Sequence, residues 1–397
     1  MKKIAVFTRA FDGGGTETAL IALLNQLEKM EIEATVFCIN KKGVLLHQVP
    51  ENIGVKEVVF GNSFYQFLVN GEHVRTDSVK ILLYKILKKI YVRKYGMEQD
   101  RNRLYEYMLS KCEKQSKTYD AVLDFYGYGY FLTAYGAKKV NARKKAMWIH
   151  DENIHWIKRV TQYLPSYDKI FCVSEAVKKV FLDKYPQYQE KAEVFYNLID
   201  TEKIVRKAEE EFVDKQFEGE LKLVTVGRLE YQKGYDIAIK AARRMTDQDI
   251  SFCWYIIGEG TERKALEKMI KKEGLKDKVI LLGRKENPYP YIKNCDIYVQ
   301  PSRHEGYGIA ILEARVLYKP IIATNLSCVR EQIQDGKNGY LVEADGKAFA
   351  DKIIWLSRSK EAQNKVMEML KREKIDFSGE MEKLKQLLED GKEWGNI

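Results

Sequence analysis

Short apolar runs rich in Val, Ile and aromatic residues alternate along this chain with longer segments whose apolar positions recur every three or four residues. The short runs read as strands, and the longer segments as helices with one buried face. In the first half the strands fall near Ile4–Thr8, Ala34–Ile39, Ala121–Phe125, Ala146–His150, Lys169–Val173 and Glu193–Tyr196. In the second half they recur near Lys222–Val226, Phe252–Ile257, Val279–Leu282, Ile297–Gln300, Ile321–Thr324 and Tyr340–Val342. Strands that alternate with helices build parallel sheets, so two successive doubly wound α/β sheets are expected. Between them, Asp200–Glu220 is densely charged and reads as a helix and linker. The expected organisation is one domain over 1–199, a second over 200–376, and a C-terminal segment over 377–397 whose amphipathic helix covers Phe377–Leu388. Sheets of this kind bind ligands at the carboxyl ends of their strands.

At 397 residues the chain exceeds one ordinary core and suits two domains. With 45% hydrophobic residues and seven prolines, it should fold rather than stay disordered. Six cysteines (Cys38, Cys112, Cys172, Cys253, Cys295, Cys328) form no C-x-x-C pair and several lie in strand-like runs, which favours reduced, buried thiols in a cytosolic protein. The five histidines do not cluster with them, so no zinc site is expected. The N-terminal apolar run breaks at Arg9 and Asp12, too soon for a secretion signal, and no stretch is long enough to span a bilayer. The expected location is cytoplasmic, with peripheral contact at the inner face of the cell membrane as the membrane option. Net charge is +10, from 67 basic and 57 acidic residues, which favours an anionic partner: a membrane surface, a nucleic acid or a phosphorylated substrate.

One segment sharpens that choice. Val79–Tyr95 holds six Lys or Arg and no acidic residue, with apolar positions at Ile81, Leu82, Ile86 and Ile90 and basic ones at Lys85, Lys88, Lys89 and Arg93. Such a helix can lie in an anionic membrane interface; a helix packed on a core with a solvated basic face fits the same pattern equally well. No nucleic-acid-binding motif accompanies it, so no nucleic-acid partner is expected.

The densest chemistry lies in His304–Pro320. Glu305 is followed by the turn Gly306-Tyr307-Gly308 and a helical pattern that opens at Ile309-Ala310 and carries Glu313 one turn inside. Backbone amides at a helix start bind phosphate, and the two flanking carboxylates can accept hydroxyl hydrogen bonds. A sugar nucleotide suits that combination. Gly227-Arg228 and Lys233-Gly234 follow the first strand of the second half, so two cations on a glycine-flanked loop can reach one diphosphate. Gly258-Glu259-Gly260 and Gly283-Arg284 close the next two strands. Near the N-terminus, Gly13-Gly14-Gly15 allows close backbone approach, and Thr16 can cap the following helix. The G-x-G-x-x-G spacing and the acidic ribose ligand of a dinucleotide site are both missing, which disfavours a nicotinamide-dependent oxidoreductase. His150-Asp151 ends the fourth strand, with His155 and Trp156 nearby. His304 receives no role, because the side chains of adjacent residues diverge in an extended segment. Ser174 and Ser302 lack a nucleophile-elbow context. Asp247-Gln248-Asp249 matches a metal-binding D-x-D string but precedes a strand, where an exposed turn is expected.

The stretch from Glu305 to Glu313 resembles the E-x7-E signature of retaining glycosyltransferases of family 4 (glycosyl transferases group 1). Gly227-Arg228 with Lys233-Gly234 looks like that family's G-R-x4-K-G motif, and Gly14-Gly15-Thr16-Glu17 is similar to its GG-x-E loop. Tyr307 stands where the family commonly has phenylalanine. The resemblance implies a GT-B fold, in which two Rossmann-like domains face an interdomain cleft, the first binding acceptor and the second nucleotide sugar, with a last helix crossing back to the first domain. It implies transfer of a hexose from a nucleoside-diphosphate sugar, UDP-sugar favoured, to a glycan, glycolipid or cell-surface polymer, as in bacterial surface polysaccharide or teichoic acid synthesis. It also implies catalytic roles for Glu305, Arg228, Lys233 and His150. Donor contacts would come from Gly14, Gly15, Gly227, Gly258, Gly260, Arg284, Gly306, Tyr307, Gly308, Ile309, Ala310 and Glu313, and acceptor contacts from Thr16 and Glu17. No cofactor and no metal are implied. The rival reading is a non-catalytic GT-B subunit that binds a partner glycosyltransferase or acceptor; the intact Glu305, Arg228, Lys233 and Glu313 argue against it.

Overall fold

The computed structural model describes residues 2–58, 78–95 and 102–389, so the end of the expected C-terminal segment, 390–397, lies outside the described residues. The chain divides into two compact units, Met1–Leu198 with Phe377–Ile397, and Ile199–Asp376.

The first unit is built on a seven-stranded sheet formed by β1 (Lys3–Thr8), β2 (Glu33–Cys38), β3 (Gly54–Glu57), β4 (Thr118–Asp124), β5 (Asn141–Ile149), β6 (Lys169–Cys172) and β7 (Ala192–Val194). Its order is β3-β2-β1-β4-β5-β6-β7, and neighbouring strands pair in parallel. The central strands are apolar on both faces because helices cover both sides, as with Ile4–Phe7 in β1 and Ala146–Ile149 in β5. β3 was not foreseen. Its sequence GVKE has one apolar side chain, and an edge strand held by backbone pairing to β2 needs no more. The helix Ser378–Glu389 belongs to this unit: it buries Leu384, Leu387 and Leu388, Lys2 Nζ donates to the Leu388 carbonyl at 3.0 Å, and Lys383 Nζ to the Val194 carbonyl at 2.8 Å. Val79–Tyr95 falls in a helix, Ser78–Tyr95, on which Leu82, Leu83, Ile86, Leu87 and Ile90 are all exposed. Those five side chains are therefore not packed into a core.

The second unit has a six-stranded sheet of β8 (Lys222–Val226), β9 (Cys253–Ile257), β10 (Val279–Gly283), β11 (Ile297–Gln300), β12 (Ile321–Thr324) and β13 (Tyr340–Val342), in the order β10-β9-β8-β11-β12-β13. Its pairings are parallel too. Trp254 and Ile256 of β9 share a core with Ala238, Ala241 and Ala242 of the helix Tyr235–Asp247. Gly346 opens the helix Gly346–Arg358 where a Cβ would lie 2.7 Å from Lys240 Cβ, so its lack of a side chain lets two helices approach closely.

Strand order fixes where ligands can bind. It reverses between β1 and β4 in one sheet and between β8 and β11 in the other, and loops leaving such a switch point diverge to opposite faces and open a crevice. The segments that border such a crevice are therefore those after β1, β4, β8 and β11.

Because Leu384 is fully buried, Leu384→Ala should cost about 2–5 kcal/mol. A lowered denaturant midpoint in the first unit's unfolding transition, followed through Trp148 and Trp156 fluorescence, is the expected reading.

Candidate functional site

In the second unit, the loop after β8 is clamped onto the loop after β11. Gly234 has φ +67°, and a Cβ there would lie 1.9 Å from the Pro301 carbonyl oxygen, so glycine is required on both counts. The clamp is reinforced where Arg303 N donates to Gln232 O at 2.7 Å and the Arg303 guanidinium grips both oxygens of Asp236, each at 2.7 Å. The neighbouring Lys233 then meets Glu305 directly: Nζ lies 2.7 Å from Oε1 and 2.9 Å from Oε2. Ser302 Oγ donates to the same carboxylate at 2.7 Å, and Gln300 Nε2 at 3.3 Å. Glu305 is buried while His304 is exposed, as the alternation of an extended segment requires. Burial of a charge at 305 is tolerable because it is fully partnered, and removing one member of such a pair typically costs roughly 3–5 kcal/mol.

The second half of the site is the start of the helix Ile309–Val316. Gly308, at φ +91°, turns the chain into it, and Gln332 Nε2 donates to the carbonyl of Tyr307, fixing the turn from behind. Glu313 sits one turn inside, buried, and accepts a 3.0 Å hydrogen bond from the hydroxyl of Tyr289. Burial lifts its carboxyl from the ordinary 4.5 to about 7, and the Tyr289 bond only partly opposes this.

The glycines after β9 and β10 serve first as packing. A Cβ at Gly258 would lie 1.9 Å from Gly227 O, and one at Gly260 would lie 2.3 Å from Leu229 O. Gly258 N also donates to Gly283 O at 2.9 Å. These turns thus shape the loop that carries Arg228, which is exposed, as is Arg284. The structure brings Gly227, Arg228, Lys233, Gly258, Gly260, Arg284, Glu305–Ala310 and Glu313 to the carboxyl edge of one sheet.

A second group of expected residues lies at the corresponding edge of the first unit. Here the capping expectation needs correction. The helix Gly15–Lys29 starts two residues earlier than Thr16 would require; Gly14 is its cap, and Glu17 Oε2 accepts from Gly14 N at 3.0 Å. Thr16 is inside the first turn, and the capping atom belongs to the buried Glu17. His150 follows β5, is 6% exposed, and its Nε2 faces the Phe125 carbonyl at 2.5 Å. A carbonyl only accepts, so Nε2 carries the proton and Nδ1 is a lone-pair acceptor. Among the described residues Nδ1 has no partner. Burial pulls the imidazole down to about 4, so it is neutral near pH 7. His155 is exposed and bonds Asn153, whereas Trp156 is buried. The D-x-D string is exposed ahead of β9: Asp247 ends the helix Tyr235–Asp247 and pairs with Arg243, and Gln248-Asp249 form a turn with Asp249 at φ +54°.

Residues 207–373 match the family model described as Glycosyl transferases group 1. An uncharacterized glycosyltransferase of Methanocaldococcus jannaschii is 32% identical over 216 residues, 54% of this chain and 56% of that protein. The N-acetylgalactosamine-N,N'-diacetylbacillosaminyl-diphospho-undecaprenol 4-alpha-N-acetylgalactosaminyltransferase of Campylobacter jejuni is 32% identical over 185 residues, 46% of this chain and 48% of that protein. The chain thus spans about half the length of the curated relatives it matches. Among solved structures, a TarM variant of S. aureus, in complex with fondaparinux, alpha-GlcNAc-glycerol and UDP, superposes with TM-score 0.71 at 18% identity, covering 98% of this chain and 100% of that one. That likeness shows the fold, which is GT-B.

The raised Glu313 carboxyl stays protonated in the folded chain up to about 7, whereas an unfolded one ionises near 4.5. The folded state therefore holds the extra proton between those values, and stability should fall as pH rises through that window. Glu313→Gln, which cannot ionise, should flatten the dependence. Melting temperatures from pH 4.5 to 8 for both proteins would reveal the difference.

Proposed function

The second unit belongs to glycosyl transferases group 1, and from that premise we propose that the chain is a retaining, metal-independent hexosyltransferase using a nucleoside-diphosphate sugar, with UDP-sugar favoured. The TarM structure with UDP supports the nucleotide choice, and the lipid-diphosphate acceptor named for the Campylobacter relative supports a glycan, glycolipid or cell-surface polymer as acceptor. The observation that carries the reading is the Lys233–Glu305 pair beside a glycine-capped helix start.

The chemistry follows from those groups. An ammonium has three donors, and two contacts go to Glu305, so Lys233 can hold the carboxylate and still face an anion. Arg228, that ammonium and the amides of Gly306–Ala310 would stabilise charge on the departing diphosphate, which supplies the role a divalent cation has elsewhere. Glu305, fixed in place by its partners, would sit beside the sugar and steady positive charge at the anomeric carbon. Glu313 and Tyr289 would hold the ribose hydroxyls. The acceptor hydroxyl oxygen would bond the anomeric carbon on the face from which the phosphate leaves, and its proton would pass to the leaving phosphate oxygen. His150 Nδ1, in the first unit, is a buried acceptor without a partner among the described residues, which a sugar hydroxyl would satisfy.

A peripheral membrane role rests on the helix Ser78–Tyr95. Leu82, Ile86 and Ile90 recur at helical spacing, are 62%, 51% and 57% exposed, and are flanked by exposed Lys85, Lys89 and Arg93. Apolar insertion plus attraction to anionic lipid is the interaction that suits such a face.

Two measurements test these readings. UDP release from a panel of UDP-sugars with glycan acceptors should drop about 100- to 1,000-fold in Arg228→Ala and Glu305→Gln, with folding retained by circular dichroism. No UDP release by the unaltered protein with any sugar nucleotide would favour the non-catalytic subunit, full activity in both variants would overturn the roles given to Arg228 and Glu305, and stabilisation by NAD but by no nucleotide sugar would favour the oxidoreductase. For the membrane, the protein should co-sediment with vesicles containing phosphatidylglycerol and not with pure phosphatidylcholine, and Ile86→Asp should release it.

A further inference from the structure

The switch point of the first sheet carries a tyrosine loop that, His150 beside it apart, the sugar-nucleotide chemistry does not use. After β4 the chain reads Phe125-Tyr126-Gly127-Tyr128-Gly129-Tyr130. Gly127, Tyr128 and Gly129 all take left-handed φ, at +59°, +44° and +59°. Both glycines are pressed on neighbouring backbone: a Cβ would lie 2.1 Å from Trp148 O at position 127 and 2.6 Å from Trp156 O at position 129. Tyr128 has no such freedom, and a left-handed non-glycine residue costs roughly 1–2 kcal/mol. Strain of that kind persists where the surroundings hold it: Asp124 accepts from Thr133 Oγ1 and Gly127 N, and Tyr105 OH donates to Gly129 O at 2.9 Å.

The loop presents three half-buried rings in a cluster, Tyr126 lying 5.1 Å from Tyr128 and 5.4 Å from Tyr130. Tyr128 stacks on His150 at 5.9 Å with planes 19° apart, and Arg9, at the end of β1, lies over the Tyr130 ring at 5.9 Å. The two rings that Tyr128 meets, His150 and Trp156, each carry a buried polar atom without a partner among the described residues: His150 Nδ1, an acceptor, and Trp156 Nε1, a donor. Aromatic faces with polar rims suit the C–H faces and hydroxyls of a sugar ring. Charge narrows the class. Arg9 lies close to Tyr126 and Asp12, and Glu17 lies close to Tyr126, so the neighbourhood of the rings holds one cation and two carboxylates.

We propose that Tyr126, Tyr128 and Tyr130, with His150 and Arg9, form a subsite for an uncharged pyranose ring. Its assignment as part of the acceptor rests on the transferase reading, but the binding site itself does not.

The full chain should be titrated with methyl β-glucopyranoside and, separately, with the matching methyl glucuronide, using saturation-transfer NMR. UDP binding by thermal shift is measured in parallel. The neutral glycoside is expected to bind at millimolar concentration and the glucuronide several-fold more weakly. Tyr128→Gly, which relaxes the backbone, and Tyr130→Ala should each weaken the neutral ligand about 2- to 10-fold, the worth of one aromatic contact, while the UDP shift is unchanged. No glycoside binding, equal binding in both variants, or a glucuronide that binds as well as the neutral sugar would each overturn the subsite. Loss of the UDP response with glycoside binding intact would instead strike the donor reading.

Discussion

The candidate site of the second unit depends on a contact that involves no side chain, the approach of Gly234 to the Pro301 carbonyl. With 1.9 Å between that oxygen and a would-be Cβ, any other residue would push the two loops apart. Their contact is what lets Lys233 reach Glu305 across 72 positions of sequence. The electrostatics then follow, because a carboxylate can remain charged in a buried place only when its partners are held at hydrogen-bond distance. Backbone geometry comes first here, and the ion pair is its consequence.

The same architectural device is used twice with different chemistry. Each sheet reverses direction once, and in each the segments leaving the two strands at the reversal carry the unusual residues. In the second unit those segments hold Arg228, Lys233, Glu305 and a helix start, a set suited to phosphate and hydroxyls. In the first they hold a glycine loop, Arg9 and three tyrosines, a set suited to a flatter and less charged ligand. One frame supplies the position, and side chains supply the selectivity.

Much of this was legible in the sequence because it is local. All twelve anticipated strands are present, since apolar runs bounded by glycine and charge report strands buried on both faces. β3 escaped because an edge strand such as GVKE needs no apolar pattern. The residues of the phosphate-type site were readable from glycine, Arg and Glu at strand ends, but their pairing was not: nothing in the spacing says that Lys233 bonds Glu305, or that Tyr289 covers Glu313. Thr16 looked like a cap because residue type was visible and the helix start was not. The tyrosine cluster did leave a signal, the alternation of Tyr and Gly directly after an apolar strand. Its meaning depends on left-handed backbone that only coordinates reveal.

The first unit is assembled from both ends of the chain, since Leu384, Leu387 and Leu388 complete its packing after the whole of the second unit has been traversed. On a ribosome, the chain of the second unit is therefore finished while the first still waits for its closing helix. The surface that Leu384, Leu387 and Leu388 cover stays without them for the time it takes to translate some 180 intervening codons, about 9–36 s at 5–20 residues per second. The exposure lasts until the final helix emerges.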